Sequence, residues 1–179
     1  MEIAARWPDR VDGLALVASV GIESHRAIRR HRHLGILSTM LRMPGIRYPL
    51  TATIRRGFLR SGFRHGLTSD AVRQSIHLAA TIDFDRHREN APLVHAPTLV
   101  AWSSDDPLVE DRIGQQLADI LPPGPRLRFE DGGHNIQKSR AGEIGQGLVR
   151  WVRAHQASRA SDTGLPEQTR PTEEPWTGS

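Results

Sequence analysis

The sequence predicts an α/β protein with a sheet of three parallel strands and helices packed around it. Residues 14–18 and 98–102 form two apolar runs without alternation, a pattern typical of parallel strands that are buried on both faces. A third short run, Arg126–Phe129, follows one helical pattern later. Strands that alternate with helices form parallel sheets, so these observations predict the fold class.

The first elements are a short helix and a strand. Residues 1–7 have a helical pattern that we expect to end before Pro8, because the residue that precedes a proline avoids the helical conformation. The run at 14–18 is then the first strand. Since it is apolar throughout, we expect both of its faces to be covered.

Residues 22–95, the helical segment, have no strand pattern. Leu34, Leu37 and Leu41 share one helical face, and a second helix is predicted over residues 51–59. Thr68 and Ser69, followed by Asp70, predict a helix start, because a hydroxyl caps the first turn and an early carboxylate favours the helix dipole. The inner face of that third helix is predicted to consist of its apolar residues, Val72, Ile76, Ala79 and Ala80.

Two further helices follow the second strand. The first has apolar residues at helical spacing, Ile113, Leu117, Ile120 and Leu121, and it ends at the run of prolines at 122–125. The last has a similar stripe, Ile144, Leu148, Trp151 and Val152. From residue 158 the composition changes to Ser, Thr, Pro, Glu and Gly, which predicts a disordered tail over 158–179.

Composition excludes several classes of protein. The 179 residues include no cysteine, so a disulfide framework and a cysteine metal site are excluded. His31 and His33 are too closely spaced to bind one metal ion from a helix, and we expect no metal and no cofactor. No apolar run approaches the ~20 residues of a membrane span. A cytoplasmic protein is therefore expected.

Candidate site residues follow the second and third strands. Asp105 and Asp106 come after the second strand, and Gly132, Gly133 and His134 come after the third. Ligand chemistry in open parallel sheets lies at the carboxyl ends of the strands, where these residues would meet. A carboxylate beside an imidazole fixes its tautomer and stabilises its protonated form. The alternative is that the aspartates only form a turn and cap the next helix.

The same residues resemble a known family. The segments that carry the resemblance are 2–11 with 14–17, 97–100 with Asp105-Asp106-Pro107-Leu108-Val109, and Gly132-Gly133-His134. Together they resemble the C-terminal half of an α/β-hydrolase over residues 1–157. The resemblance implies three C-terminal strands of a larger sheet, a helical lid at about 22–95, and ester or related hydrolysis. It implies Asp106 as the catalytic acid, with Asp105 as the reserve, and His134 as the base.

The nucleophile of that family is absent from the sequence. Its serine lies in G-x-S-x-G, and none of the serines here has that context. Ser19 comes nearest, with Val17 at the position of the first glycine. We therefore expect no catalysis by this chain alone. A late start codon, a decayed gene or a split enzyme would each account for such a sequence.

Ten arginines define a basic helical surface between residues 22 and 65. The only acidic residue in that stretch of sequence is Glu23. The ten arginines are Arg26, Arg29, Arg30, Arg32, Arg42, Arg47, Arg55, Arg56, Arg60 and Arg64. The alternative to a hydrolase is thus a non-catalytic binding module for an anionic partner. Few aromatic residues accompany the arginines, so nucleic acid is not the expected partner. A hydrolase instead predicts a small ester-like substrate, and an uncovered edge of the first strand predicts self-association.

Overall fold

A computed structural model of the protein describes residues 1–30, 33–60 and 66–163. Its sheet has three parallel strands in the order β1 (Leu14–Val17), β2 (Thr98–Ser103) and β3 (Arg126–Phe129). Leu14 pairs with Thr98 and Val100 pairs with Arg126, so β2 is the central strand. The predicted fold class and all three strands are confirmed.

Helices surround the sheet within the described residues. Their bounds are α1 Glu2–Arg6, α2 Arg26–Arg30, α3 Leu34–Met40, α4 Arg47–Arg60, α5 Ser69–Ala80, α6 Phe84–Asn90, α7 Asp111–Ile120, α8 Ile136–Ser139 and α9 Ala141–Thr163. Short 3-10 turns lie at Pro8–Arg10 and Ala91–Leu93. None of these helices is both long enough and apolar enough to cross a membrane.

The core is built on the two faces of β2, where every residue is buried. Val100 and Trp102 belong to the cluster that includes Leu117 of α7. Leu99 and Ala101, on the alternate face, pack in a second cluster that is closed by α8 and α9. A strand that is buried on both faces has no polar face, which explains the absence of alternation in its sequence.

α7 lies close against β2 because Gly114 has no side chain. A Cβ atom at this position would come within 2.2 Å of Cγ of Trp102. The Trp102 indole also donates a hydrogen bond of 2.8 Å to Oδ1 of Asp111, in the first turn of the same helix. One glycine and one hydrogen bond thus set the distance between helix and sheet.

Arg126, the first residue of β3, lies against the carboxyl end of α7. Its Nε atom donates to the Ala118 carbonyl at 3.0 Å, and Nη2 donates to the carbonyls of Leu121 and Pro122, both at 2.9 Å. The last carbonyls of a helix have no partner within the helix, so the guanidinium satisfies them. Arg126 thereby holds the start of β3 against the end of α7.

The expectation that both faces of the first strand are covered is wrong. Ala15 is exposed, and the other residues of β1 are only half-buried. In the part of the chain that the structure describes, β1 pairs with β2 alone and forms one edge of the sheet. One face of this apolar strand is therefore covered only in part: Ala15 is exposed, whereas Val17 packs against the cluster of Leu99 and Ala101.

Among the described residues, the helical segment contains α2 to α6. The three predicted helices correspond to α3, α4 and α5 with shifted bounds, whereas α2 and α6 were not predicted. Thr68 caps α5, since its Oγ1 atom accepts a hydrogen bond of 3.1 Å from the Ala71 amide, and Val72 and Ile76 are buried as expected. The segment has a small core of its own around Leu34 and Leu41. Besides the chain connections at its ends, it contacts the rest of the protein through side chains, among them Arg86 of α6, which forms an ion pair with Glu2 of α1.

The predicted tail, 158–179, overlaps the last six residues of α9. α9 continues through residue 163, whereas disorder was expected from residue 158. Ser158 and Ser161 follow the helical path, each donating a hydroxyl hydrogen bond to the carbonyl four residues earlier. The Trp151 stripe begins the helix, and residues of good helix propensity extend it. The rest of the predicted tail, 164–179, lies outside the described residues.

Candidate active site

The structure brings Asp106 and His134 together at the carboxyl ends of β2 and β3. The Nδ1 atom of His134 lies 2.8 Å from Oδ2 of Asp106. The two residues are 28 positions apart in sequence, and the parallel sheet places their loops side by side. The predicted contact is confirmed, while the catalytic roles of the two residues remain predictions.

Asp106 is held as a carboxylate by its hydrogen bonds. Its side chain is almost fully buried, and Oδ1 accepts from the amides of Leu108 at 2.8 Å and Val109 at 3.0 Å. Burial opposes ionisation, but the hydrogen bonds from His134, Val109 and Leu108 outweigh it and lower the pKa of Asp106. A carboxylate can only accept, so the proton of this hydrogen bond is on Nδ1 and Nε2 is the basic nitrogen of a neutral His134.

Asp105 does not contact the imidazole. Its Oδ1 atom accepts from the Ser103 hydroxyl at 2.6 Å and from the Gly133 amide at 2.8 Å, and Oδ2 accepts from the Gly132 amide at 3.3 Å. The Ser103 hydroxyl and the glycine amides lower the pKa of Asp105. Of the two candidate acids, the structure therefore pairs only Asp106 with His134.

The turn before His134 requires glycine. Gly132 and Gly133 have φ angles of 135° and 64°, which side chains rarely allow. At Gly132 a Cβ atom would also lie 3.1 Å from both Ile136 and Ser139. The Ser139 hydroxyl donates to the Gly132 carbonyl at 2.7 Å and closes the turn. These contacts hold His134 two residues before the start of α8.

The helical segment reaches the acid loop at Leu108. The buried His25 ring donates from Nδ1 to the Leu108 carbonyl at 3.0 Å, and the Ala27 amide donates to the same oxygen at 3.2 Å. Burial lowers the pKa of His25, which favours the neutral ring. The Leu108 amide is bound by Asp106, so one peptide unit connects the helical segment to the candidate acid.

Glu110 makes a second connection between the helical segment and the loop of the candidate acid. It accepts a hydrogen bond of 2.7 Å from the Arg26 amide at the start of α2 and forms an ion pair with Arg29. Sequence reasoning found neither His25 nor Glu110. His25 lies 83 positions from its partner Leu108, and no local pattern indicates that pairing.

Ser19 lies near the candidate acid but not against the base. It lines a cavity of about 10 Å³ that also touches Ser103 and Asp106. That space holds at most one water molecule and is no substrate pocket. Ala18 before it has a φ of 47°, an uncommon conformation for a residue with a side chain. Among the described residues, no hydrogen bond joins Ser19 to His134.

A metal site among the described residues would require several ligating side chains in one place. Within residues 1–30, 33–60 and 66–163, no three His, Asp or Glu side chains are grouped closely enough to bind an ion. His31, one of the two closely spaced histidines for which no metal site was expected, lies outside these residues.

Comparison with known proteins identifies the fold. No family model matches the chain, and no curated protein matches it. Solved structures do match it, each covering most of this chain. An esterase from Exiguobacterium antarcticum has a TM-score of 0.55 at 16% identity, covering 84% of this chain and 62% of the esterase. The enol-lactonase from Burkholderia xenovorans LB400 has a TM-score of 0.53 at 18% identity, covering 84% and 60% of the two chains.

A haloalkane dehalogenase variant from Bradyrhizobium elkanii has a TM-score of 0.57 at 18% identity, with coverage of 89% and 65%. All three are α/β-hydrolase-fold enzymes. This chain therefore has the α/β-hydrolase fold, as the sequence motifs implied. It spans about 60% of the length of the first two structures.

Proposed function

We propose that this chain is the acid–base part of a serine-type α/β-hydrolase, with Asp106 as the acid and His134 as the base. The observation that carries the proposal is the 2.8 Å contact between a buried carboxylate and Nδ1 of the imidazole. This arrangement holds the ring in the tautomer whose Nε2 atom can take a proton from a nucleophile.

The chemistry is acyl transfer to water. Nε2 of His134 takes the hydroxyl proton of a nucleophilic serine while that oxygen attacks the acyl carbon, and the imidazolium then gives the proton to the leaving oxygen. Asp106 stabilises the imidazolium between these steps. Water, activated by the same Nε2 atom, hydrolyses the acyl-enzyme and restores the serine.

The nucleophile of this proposal lies outside these 179 residues, because their sequence contains no G-x-S-x-G. Ser19 is not chosen, since it has no hydrogen bond to His134. The chain alone is then inactive towards esters. The substrate class is an ester or a related carbon electrophile, and the solved structures described as esterase, enol-lactonase and dehalogenase support that range.

We place the protein in the cytoplasm. The helical segment is proposed to be the lid of this enzyme. Its contacts through His25 and Glu110 with the acid loop support this role, because they put the start of the segment beside the catalytic acid. A lid at this position would exclude water from the ester and form one wall of the substrate site.

The test is ester hydrolysis by the protein expressed together with any in-frame coding sequence that precedes Met1. We expect turnover of p-nitrophenyl esters and covalent labelling by a fluorophosphonate probe. His134→Ala should abolish both, with a loss in kcat of at least about 10³-fold, because the nucleophile loses its general base. Asp106→Asn should lower kcat strongly without removing the labelled serine.

The matched control is His95→Ala, which removes an exposed imidazole on the connection to β2. It should leave turnover and labelling unchanged. Unchanged turnover in His134→Ala, or a complete absence of probe labelling in the longest expressed form, would show that the proposal is wrong.

The exposed edge of β1 is proposed as a site of self-association. Ala15 is exposed, and within the described residues the strand pairs on one side only. A lysine there would oppose edge-to-edge pairing. We expect sedimentation velocity to detect concentration-dependent association of the chain, and Ala15→Lys to shift it towards the monomer. Equal association of both forms would exclude this edge.

A second candidate function is supported by the basic helical surface. Exposed apolar side chains of Ile36, Met43 and Tyr48 lie in the same segment as the exposed Arg42, and no acidic residue occurs between Glu23 and Asp70. This favours an anionic partner. A binding module predicts retention on heparin that falls steeply with salt. The hydrolase proposal predicts weak retention at moderate salt.

A further inference from the structure

We propose that Asp105 is a positioning residue, which holds the glycine turn before His134 against the end of β2 so that the imidazole meets Asp106. This inference rests on the proposed function of the Asp106–His134 pair. It assigns different tasks to the two neighbouring aspartates.

The contacts of Asp105 extend across the sheet edge. Three donors converge on its carboxylate: the Ser103 hydroxyl, the Gly133 amide and the Gly132 amide. The two glycines are 27 and 28 positions away, at the end of the neighbouring strand. Successive amides in a turn with positive φ form an anion-binding concavity, and here the anion is a side chain of the protein.

Ser103 fixes the direction of that carboxylate. Its side chain is buried at the end of β2, and its hydroxyl donates at 2.6 Å to the same oxygen that accepts from Gly133. The connection therefore runs from the buried strand through Ser103 and Asp105 to the backbone of Gly133. His134 is the next residue, so the position of its ring depends on this connection.

A local turn does not explain Asp105. The local role belongs to Asp106, whose Oδ1 atom accepts from amides two and three residues ahead in its own loop. In the described structure Asp105 makes no such bond to the amide three residues ahead; besides the Ser103 hydroxyl, it accepts from Gly132 and Gly133 of the other loop. Each carboxylate thus has its own set of donors, which keeps two adjacent negative charges ionised side by side.

The precision of the site depends on such support. A catalytic pair requires geometry within about 0.5 Å, and a residue on a loop meets that requirement only when the loop is fixed by other contacts. Without Asp105, the Ser139 bond and the Ser104 bond to the Glu130 carbonyl remain, but the amides of Gly132 and Gly133 lose their bonds to the end of β2. We therefore expect the His134 ring to sample positions in which Nδ1 is not bound to Asp106.

The experiment measures the tautomer of His134 in the full chain by long-range ¹H–¹⁵N NMR, with the signal assigned by its loss in His134→Gln. The wild-type ring should be in the Nδ1–H form when neutral. In Asp105→Ala the ratio of the Nδ1–H to the Nε2–H form should fall by about fivefold, the effect of losing one ordinary hydrogen bond. Asp105→Asn keeps an acceptor oxygen for the Gly133 amide, so the ratio should fall less in this variant.

Titration of the Asp106 carboxyl by ¹³C NMR gives a second readout. Both variants remove the neighbouring charge, so their difference isolates the support of the loop. The pKa of Asp106 should be higher in Asp105→Ala than in Asp105→Asn, because the hydrogen bond from His134 is weaker. Ser103→Ala should shift both readouts in the same direction by a smaller amount, and it tests the proposal if Asp105→Ala does not fold.

The matched control is Asp85→Ala, which removes an exposed carboxylate paired with Arg88 and should change neither readout. A wild-type tautomer ratio in both folded Asp105 variants would overturn the positioning role, even if their stability fell. A changed ratio in a protein whose longest form hydrolyses no ester would retain the positioning role and remove the proposed function.

Discussion

The sheet unit, β2 with α7 and β3, and the helical segment differ in how they bury their apolar residues. All six residues of β2 are buried, and Leu99 and Ile113 are fully inaccessible. In the helical segment, by contrast, Ile36 is 61% exposed and Leu78 is 69% exposed. The segment thus packs around a small cluster, whereas the sheet unit forms the main core.

This difference relates structure to the proposed chemistry. Asp106 and His134 follow two paired strands of the sheet unit, and this pairing fixes where their two loops begin. The helical segment touches the acid loop through polar contacts of His25 and Glu110 rather than through a broad apolar surface. Elements with few buried apolar contacts open at lower free energy, as a moving lid requires.

The largest expected effect comes from the sheet unit. Leu99→Ala should lower the free energy of unfolding by about 2–5 kcal/mol, because it leaves a cavity in a strand packed on both faces. Leu34→Ala, in the core of the helical segment, should cost less, since its exposed surroundings can close around the gap. Urea denaturation of both variants measures the contrast, and equal losses would contradict it.

Two glycines give a sharper comparison. Gly114→Ala places a Cβ atom 2.2 Å from Trp102 and should destabilise the protein by about 1–3 kcal/mol through overpacking. Gly35→Ala lies in α3 with no atom within 4 Å of the new Cβ, and it should stabilise the protein by about 0.5–1 kcal/mol. Thermal unfolding should show opposite shifts; shifts of the same sign would refute the packing difference.

The change of stability at acidic pH tests the end of the sheet unit where Asp106 lies. The folded pKa of Asp106 is lowered, so its contribution is complete above the unfolded value of about 3.9 and is lost as the pH falls through the folded pKa. Asp106→Asn should reduce the slope of the free energy of unfolding against pH by at most about 1.4 kcal/mol per pH unit in this acidic range. Denaturation at pH 7, 5, 4 and 3 measures it. An unchanged slope would show that Asp106 is not held as a carboxylate.

A small loss of stability is expected from removal of a helix cap in the helical segment. Thr68→Ala removes the hydroxyl that accepts from the Ala71 amide and should cost about 1 kcal/mol. Hydrogen exchange should show faster exchange in α5 and little change in β2, if the two regions unfold separately. A uniform increase in exchange would indicate that they form one cooperative unit.

Much of the fold was predictable because its signals are local. The strands at 98 and 126 were expected within a residue of their positions, since a short apolar run between Pro97 and two serines is typical of a buried parallel strand. The cap at Thr68 was equally local. The meeting of Asp106 and His134 also followed, because parallel strands bring their carboxyl ends to one edge.

Other features depend on contacts between distant residues. The pattern of residues 14–18 is the same for a covered strand and for an edge strand, so the exposure of Ala15 could not be read from it. Helix propensity continues past residue 157, but composition indicated a tail, and α9 follows the propensity.

Local chemistry, in the end, established which residue types lie at the carboxyl edge of the sheet: two carboxylates, a glycine turn and an imidazole. Which aspartate binds His134, and which one holds the turn, was decided by tertiary structure. The two side chains are chemically identical and adjacent, and only the direction in which the packed strand points each of them separates their partners. The same holds for His25, whose role exists only because folding brings Leu108 to it.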